Sequence, residues 1–383
     1  MSVTAARGFL ASGVSAGIKE SGDPDLALVV NQGPSNAAAA VFTSNRVQAA
    51  PVRWSRRTVA DGTLSAVVLN SGGANACTGP KGEADTRTTA ECAARALGTE
   101  TGRVAVCSTG LIGVPLPMDR VTAGIHAAAA RLSDDGGEDA AVAIKTTDSV
   151  HKTAVSSGPG WTVGGMAKGA GMLAPGLATM LVVLTTDADV SAPELDATLR
   201  EAVRTTFDRV DSDGCMSTND TVLLLASGAS GVRPDPAAFT EAVHGVCLDL
   251  AHRLIADAEG ASKEIEVRVI GAASERDAVE VGRSVARNNL LKCALHGEDP
   301  NWGRVLSAVG TTSAAFDPDR LDVAINGVLV CRDGAAGEDR DKVDLSRRQV
   351  AVIVDLRSGE AAATIWTNDL TAAYVHENSA YSS

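Results

Sequence analysis

Short apolar runs alternate with Ala-rich amphipathic stretches along most of the chain. Apolar runs of four to eight residues are typical of buried strands, and apolar positions three and four apart are typical of helices. The pattern predicts strands over residues 64–69, 104–106, 179–185, 221–226, 264–270, 321–325 and 350–355. It predicts helices over residues 82–97, 119–132, 191–207, 236–258 and 277–286. This alternation of strands and helices indicates an α/β protein.

Two local signals refine this prediction. The sequence Ser191-Ala-Pro-Glu194 is typical of a capping box with an early proline, and it predicts a helix start. The polar stretch 133–139, SDDGGED, predicts a surface loop between helices, because it is too short to link independent domains. A length of 383 residues suggests two or three domain-sized units.

Composition and charge exclude several classes of function. Apolar residues make up 45% of the chain and aromatic residues only 3%, which predicts a globular protein with an aliphatic core. The net charge is −13, and no cluster of Lys and Arg is large enough to neutralise phosphates. We therefore expect neither nucleic acid nor an anionic membrane as a partner.

Cysteine and histidine usage gives no metal or disulfide pattern. The seven cysteines are scattered without a CxxC pair, and the six histidines form no HxxxH or triad-like arrangement. The first twenty residues lack the order of a signal peptide, and the run 180–184 is too short to span a bilayer. These observations predict a cytoplasmic protein that holds no metal. The stretches 208–214 and 164–169 resemble a calcium loop and a phosphate loop, but their spacing fits neither motif.

The segment from Lys168 to Leu184 carries the most informative chemistry. Three glycines and Pro175 form a loop that leads directly into the predicted strand at Thr179. From the residues alone, Thr179 is either a structural β-branched residue or the site of a self-cleavage. In the second case, the Thr179 hydroxyl attacks the Ala178 carbonyl, and hydrolysis frees a new N-terminus. An α-amine has a pKa of about 7.7–8.0, so it can activate the hydroxyl of its own residue near neutral pH.

Other candidates also have two interpretations. Thr109 and Gly110 form either an ordinary turn after a strand or an oxyanion hole built from a hydroxyl and an N–H group. Lys168 is either a solvated loop residue or a ligand for a substrate carboxylate. Glu259 is predicted to end the helix 236–258, where an anion opposes the helix dipole and requires a compensating group.

Several segments along the chain are distinctive. The most distinctive is AKGAGMLAPGLATMLVVLTTDA, around Thr179. The others are, in order, AVFTSNRVQAAPV, LNSGGANACTG, CSTGLIGVPLPMD, IKTTDSVHK, STNDT, DAEGASK, HGEDPNWGR and NDLTAAYVHENSAYSS. In these segments and in their order the chain resembles the ornithine acetyltransferases, also called glutamate N-acetyltransferases, of arginine biosynthesis. The segment around Thr179 is similar to that family's self-processing site. Ala174, Gly176 and the pair Cys215-Met216 depart from the family's usual residues, which affects loop detail only.

The resemblance implies a role for individual residues. It implies cleavage between Ala178 and Thr179, Thr179 as the nucleophile, and Thr109 and Gly110 as the oxyanion hole. It also implies substrate contacts, and these are assigned to Thr146, Lys168, Thr179, Glu259, Asn378 and Ser383. Without the resemblance, Thr146 is a helix-end or turn residue, and the chain end that carries Asn378 and Ser383 is expected to fray.

The resemblance also implies a fold and an activity. The expected fold is a four-layer α/β/β/α sandwich like that of N-terminal nucleophile hydrolases, with different connectivity and a smaller β-rich C-terminal portion. Residues 1–178 and 179–383 become the α and β chains of one catalytic unit, in an α2β2 heterotetramer.

The expected activity is acetyl transfer from N2-acetyl-L-ornithine to L-glutamate through an acetyl-Thr179 ester, without a cofactor. Two points stay open. One is whether acetyl-CoA is an additional donor, and the other is whether the protein serves arginine synthesis or a specialised pathway. The alternatives are a self-processed amidase or aminopeptidase and, as a non-enzyme, an unprocessed ligand-binding or scaffold protein.

Overall fold

The computed structural model describes residues 2–174 and 180–380, which form two compact units. The first unit contains the described residues up to Asp208 together with Cys215–Asp257. The second contains Arg209–Gly214 and the described residues from Ala258 onward. This division follows from contacts within the fold and is independent of the predicted cleavage into residues 1–178 and 179–383.

The first unit is built on two sheets. Its strands are β1 (Phe9–Val14), β2 (Leu26–Asn31), β3 (Ala37–Phe42), β4 (Ala66–Asn70), β5 (Val104–Ser108), β6 (Lys152–Gly158), β7 (Trp161–Lys168), β8 (Leu181–Thr186) and β9 (Thr221–Ala226). One sheet has the order β1-β2-β4-β5 and the other the order β3-β9-β8-β7-β6. Its helices are α1 (Ala50–Thr58), α2 (Gly79–Leu97), α3 (Met118–Ala129), α4 (Gly137–Ala143), α5 (Ala192–Thr205) and α6 (Pro236–Ala256).

The two sheets pack face to face, and helices cover their outer faces. Val29 and Leu69 of the four-stranded sheet share a buried core with Val183 and Leu223 of the five-stranded sheet. The other face of the four-stranded sheet packs on α2 and α3, and α5 and α6 pack on the five-stranded sheet. These four layers confirm the predicted α/β/β/α sandwich.

The second unit is a six-stranded sheet with helices against it. Its strands are β10 (Glu264–Ala272), β11 (Asp322–Ile325), β12 (Val328–Arg332), β13 (Ala335–Ala336), β14 (Gln349–Asp355) and β15 (Ala361–Asn368), in the order β13-β12-β11-β14-β10-β15. Its helices are α7 (Glu275–Ala286), α8 (Asn289–His296), α9 (Trp302–Val309) and α10 (Ala372–Ala380). Residues of α7, α8 and α9 share one apolar core with β10, β11, β14 and β15.

Two sequence predictions about loops and helix ends need correction. The stretch 133–139 is not wholly a surface loop: Ser133 pairs with Ala11 of β1, and α4 begins at Gly137, because small residues there allow close backbone contact. Glu259 does not end a helix, since α6 ends at Ala256 and Asp257 is its C-cap residue. The predicted strand 179–185 is observed as Leu181–Thr186, and Thr179 lies outside the described residues.

Candidate active site

The turn after β5 holds Thr109 and Gly110 in a constrained backbone. The Thr109 N–H donates to Asn70 O at 3.0 Å, and Thr109 O accepts from Gly73 N at 2.9 Å. Gly110 has φ +128°, and a Cβ atom there would lie 2.5 Å from Gly73 N. Only glycine fits this conformation and this close approach. The Gly110 N–H donates to no acceptor among the described residues, so it remains available to a ligand.

Buried amide side chains fix this turn from two directions. The Asn70 amide donates to Gly73 O at 2.9 Å, and the Ser108 hydroxyl donates to Asn70 Oδ1 at 2.6 Å. The Asn219 amide donates to Ala74 O at 2.6 Å and to Ser108 O at 2.8 Å. Because buried hydrogen bonds of this kind resist rearrangement, the turn is preorganised.

Lys168 is a buried residue, in contrast to the solvated loop lysine that one interpretation predicted. It ends β7, pairs in register with Leu181 of β8, and is only 2% exposed. Its Nζ donates to Thr109 Oγ1 at 3.3 Å. An ammonium group can only donate, so the Thr109 hydroxyl hydrogen remains free to donate elsewhere. The structure therefore brings Lys168, Thr109 and Gly110 together.

Asp148 lies beside this cluster and is one of its counter-charges. Burial by itself would raise the pKa of this carboxyl, but the charges of Lys168 and Lys152 lower the pKa to about 2. Lys152 is fully buried, and its Nζ lies 2.6 Å from Asp148 Oδ1 and 2.6 Å from Asp257 Oδ2. Lys152 is thus the group that compensates the anion at the end of α6, where the anion is Asp257 and not Glu259.

Thr146 is half-buried, two residues before Asp148 in the loop that leads to β6. Its N–H donates to Asp148 Oδ2 at 3.0 Å. This hydrogen bond connects Thr146 to the same buried carboxylate whose pKa is lowered by the charge of Lys168.

Asp220 is a second buried carboxyl next to the start of β8. Its Oδ1 accepts from Met180 N at 3.0 Å, and its Oδ2 has no hydrogen-bond partner among the described residues. Complete burial raises the pKa of Asp220 well above its usual value, although the Met180 N–H and the Ser217 hydroxyl act against the shift. Burial therefore disfavours the charged form of this carboxyl, which lies beside Met180.

Glu259 and Asn378 are brought together in the second unit. Glu259 is 7% exposed, and its Oε2 accepts from the Asn378 amide of α10 at 2.9 Å. Gly260 permits this contact, because a Cβ atom there would lie 2.2 Å from Tyr374 N. The Thr371 hydroxyl also donates to Gly260 O at 2.7 Å, so the start of α10 is fixed to the loop that carries Glu259.

Three of the predicted site residues, Ala178, Thr179 and Ser383, lie outside the described residues. Sequence reasoning in turn missed Asp148 and Asp220, although both occur in segments that carry the family resemblance, IKTTDSVHK and STNDT. The presence of an acidic residue inside a segment that carries the resemblance was the available signal.

The described part of the chain offers neither a metal cluster nor a membrane span. In residues 2–174 and 180–380, no group of three or more His, Cys, Asp and Glu side chains is arranged to hold a metal ion. No helix in these two ranges is both long enough and apolar enough to cross a membrane.

Nearly the whole chain matches one protein family. The model of the ArgJ family matches residues 10–383. The chain belongs to this family. A curated relative from Streptomyces coelicolor, named arginine biosynthesis bifunctional protein ArgJ, is 71% identical over 383 residues, which is 100% of both chains. A relative of the same name from Thermobifida fusca is 63% identical over 382 residues, again 100% of both chains.

A solved structure is also similar to this ArgJ-family chain. It is ornithine acetyltransferase from Mycobacterium tuberculosis complexed with ornithine, which is 55% identical, with a TM-score of 0.45. The match covers 47% of this chain and 96% of that chain. The family match and the two curated relatives confirm the predicted resemblance and the predicted role in arginine biosynthesis.

Proposed function

We propose that the protein moves an acetyl group from N2-acetyl-L-ornithine to L-glutamate through an ester on Thr179. The observation that carries this proposal is the cluster of Lys168, Thr109 and Gly110 at the beginning of β8, in a chain of the ArgJ family. A hydroxyl and a free N–H at a rigid turn are the donors that a tetrahedral oxyanion requires.

The first proposed step is self-cleavage. The Thr179 hydroxyl attacks the Ala178 carbonyl, the bond to the Thr179 nitrogen breaks, and water hydrolyses the resulting ester. Residues 1–178 and 179–383 become separate chains, and Thr179 gains a free α-amine. This amine then serves as the base for its own hydroxyl, as in other enzymes with an N-terminal threonine nucleophile.

Acetyl transfer follows in two half-reactions. The Thr179 oxygen attacks the acetyl carbonyl, its proton passes by way of the α-amine to the departing nitrogen, and ornithine leaves. The amine of glutamate then attacks the acetyl ester and releases N-acetyl-L-glutamate. In both steps the Thr109 hydroxyl and the Gly110 N–H donate to the oxyanion, and the Lys168 ammonium polarises the Thr109 hydroxyl. No cofactor is needed, because the acetyl group arrives on its donor.

Substrate binding is assigned by charge. The buried ammonium of Lys168 attracts the α-carboxylate of the substrate, and Thr146 contacts the same group. The carboxylate of Glu259 attracts an ammonium of ornithine, and Asn378 orients that carboxylate through the 2.9 Å hydrogen bond. Ser383 is assigned a substrate contact from the resemblance alone.

Three wider features belong to the same proposal. The relatives' names contain the word bifunctional. This word supports a second activity, in which acetyl-CoA donates the acetyl group to glutamate. None of the seven cysteines, all of which lie in the described residues, forms a disulfide, which supports a reducing cytoplasm. Two copies of the cleaved pair form an α2β2 heterotetramer that serves arginine synthesis.

Denaturing electrophoresis and a transfer assay test the proposal together. The wild-type protein should give two fragments in place of a 38.9 kDa band, and it should form N-acetylglutamate from acetylornithine and glutamate. Thr179→Ala should remain intact and inactive, and Thr179→Ser, which keeps the hydroxyl, should be cut. Complete cleavage of Thr179→Ala would contradict the proposal. Release of free acetate without N-acetylglutamate would identify a hydrolase instead.

A further inference from the structure

Asp148 contacts the chain at two separate places that carry proposed substrate ligands. Its Oδ2 accepts from the N–H of Thr146 at 3.0 Å. Its Oδ1 accepts from the N–H of Gly169, the residue after Lys168, at 2.6 Å. Thr146 precedes β6 and Gly169 follows β7, so one carboxylate joins the loops at the same end of this hairpin.

The carboxylate is buried and ionised. The Asp148 side chain is 0% exposed, and the charges of Lys168 and Lys152 lower its pKa to about 2 despite the cost of burial. Hydrogen bonds from N–H groups to an ionised acceptor are roughly twice as strong as neutral ones. Asp148 is therefore able to fix both loops.

Lys152 determines where the Asp148 side chain lies. The Lys152 ammonium, itself 0% exposed, is shared between Asp148 and Asp257 at 2.6 Å each. Asp257 also binds Ser149, whose N–H donates to Asp257 Oδ2 at 3.1 Å. Asp257 thus belongs to the same ion cluster as Asp148, but the Thr146 and Gly169 amides of the described chain donate to Asp148 instead.

We propose that Asp148 is a positioning residue for substrate binding, which holds Thr146 and Lys168 in place through the backbone amides of Thr146 and Gly169. This inference rests on the proposed function, since it presumes that Thr146 and Lys168 bind the acetylated amino acid. Asp148 does not touch the substrate. Its effect is to fix the separation of two ligands that lie 22 positions apart in the sequence.

Asp148→Asn is the direct test. The amide has one acceptor oxygen, so its nitrogen must face either the Thr146 N–H or the Gly169 N–H, and one of the two bonds is lost. We expect KM for acetylornithine to rise by about tenfold, the usual effect of losing one charge-assisted bond. We expect kcat per cleaved chain to change by less than about threefold, since Asn70 and Asn219 hold the turn of Thr109 and Gly110 independently of Asp148.

Asp257→Asn is the matched control. It removes the other anion beside Lys152, so it should lower the unfolding temperature by a similar amount. Because it leaves the Thr146 and Gly169 amides bonded, KM for acetylornithine should stay within about twofold of the wild type. If Asp148 had a purely structural role, Asp148→Asn would give a smaller amount of active protein with an unchanged KM, or Asp148→Asn and Asp257→Asn would show the same rise in KM. Either result would overturn the inference.

A second pair of variants removes the Lys152 charge from the comparison. Lys152→Gln leaves the two amide bonds of Asp148 intact, and Asp148→Asn combined with Lys152→Gln removes one of them in a protein that lacks the Lys152 ammonium. The double variant should show the higher KM, and equal KM values would refute the inference. Wild-type protein is assayed first, so that an absence of acetyl transfer, which refutes the proposed function, is distinguished from a failure of this inference.

Discussion

At the residue scale, Gly110 combines a backbone conformation that only glycine fits with a proposed role as an oxyanion donor. Its φ is +128°, and a Cβ atom there would lie only 2.5 Å from Gly73 N, so the turn leaves no room for a side chain. We expect Gly110→Ala to lower the unfolding temperature and to lower kcat by about 100-fold, because an oxyanion donor is displaced. Steady-state kinetics on folded protein measure this.

Gly102→Ala serves as the comparison for this substitution. A Cβ atom at Gly102 would meet nothing within 4 Å, so both kcat and unfolding temperature should match the wild type. If Gly110→Ala also retained wild-type kcat, Gly110 would not be part of an oxyanion hole.

Asp220 gives a prediction about pH. Burial raises its pKa in the folded state, so the folded protein binds this proton more tightly than the unfolded chain does. The free energy of unfolding therefore falls as pH rises above the unfolded pKa of about 3.9, by at most about 1.4 kcal/mol per pH unit from this group. Asp220→Asn lacks the effect, so its stability relative to the wild type should increase between pH 5 and pH 8 in urea titrations. A constant difference would mean that Asp220 is ionised in the fold.

The residues of the candidate site differ in how far the sequence could predict them. Thr109, Gly110 and Lys168 were candidates because of their places after a strand or beside a glycine-rich segment. Their assigned roles came from the family resemblance and stay predictions. Asp148 and Asp220 were not predicted. Both are recognised by their hydrogen-bond partners, Gly169 and Met180, which only the folded chain brings near, and a single sequence does not contain those pairings.

At the element scale, strands of continuous Val and Leu were predicted well. Residues 221–226 and 264–270 correspond to β9 and the first part of β10, because an aliphatic run and a strict alternation are both typical of strands. β3, with the sequence AAAAVF, was missed, since alanine favours helices and only pairing with β9 makes this segment a strand.

β7 was missed for a different reason. Its Gly164 and Gly165 resemble a loop in the sequence, but they lie inside the strand because other groups approach them closely. A Cβ atom would lie 2.3 Å from Ser2 O at Gly164 and 2.7 Å from Leu184 Cδ2 at Gly165. Glycine in a strand interior often marks such an approach, and no periodic pattern reveals it.

The capping box that the sequence predicts at Ser191 is observed at the start of α5 and can be tested. The Ser191 N–H donates to Glu194 Oε2 at 3.0 Å, and the Ser191 hydroxyl donates to the same oxygen at 2.6 Å. Ser191→Ala should reduce the free energy of unfolding by about 1 kcal/mol, as measured by urea denaturation. Ser307→Ala, in the exposed face of α9, should not destabilise the protein, because alanine is the better helix former. Equal effects at both sites would rule out a cap at Ser191.

At the scale of the whole molecule, apolar layers account for the fold more than any single contact does. The aliphatic core predicted from a 3% aromatic content is observed between the two sheets of the first unit and against α7–α9 in the second. The boundary at Asp257 was not predicted, because no linker composition marks it and the segment Arg209–Gly214 joins the second unit from a distant part of the chain.

The proposed assembly gives a prediction about mass. Two chains of 38.9 kDa, each cut once, give a particle of about 78 kDa in an α2β2 heterotetramer. Light scattering on the purified protein measures this mass, and denaturing electrophoresis of the same fraction should show both fragments in equal amounts. A particle of one chain's mass would exclude the tetramer.

The hydrogen bond between Met180 N–H and Asp220 has a consequence for the chain end that cleavage would create. Met180 is 1% exposed, and the next residue already belongs to a central strand of its sheet. Adjacent Cα atoms are about 3.8 Å apart, so a terminus at Thr179 would extend by a single residue beyond an anchored amide. A chain that began at Thr179 would therefore have its second residue already fixed to a buried carboxyl and its third inside a sheet.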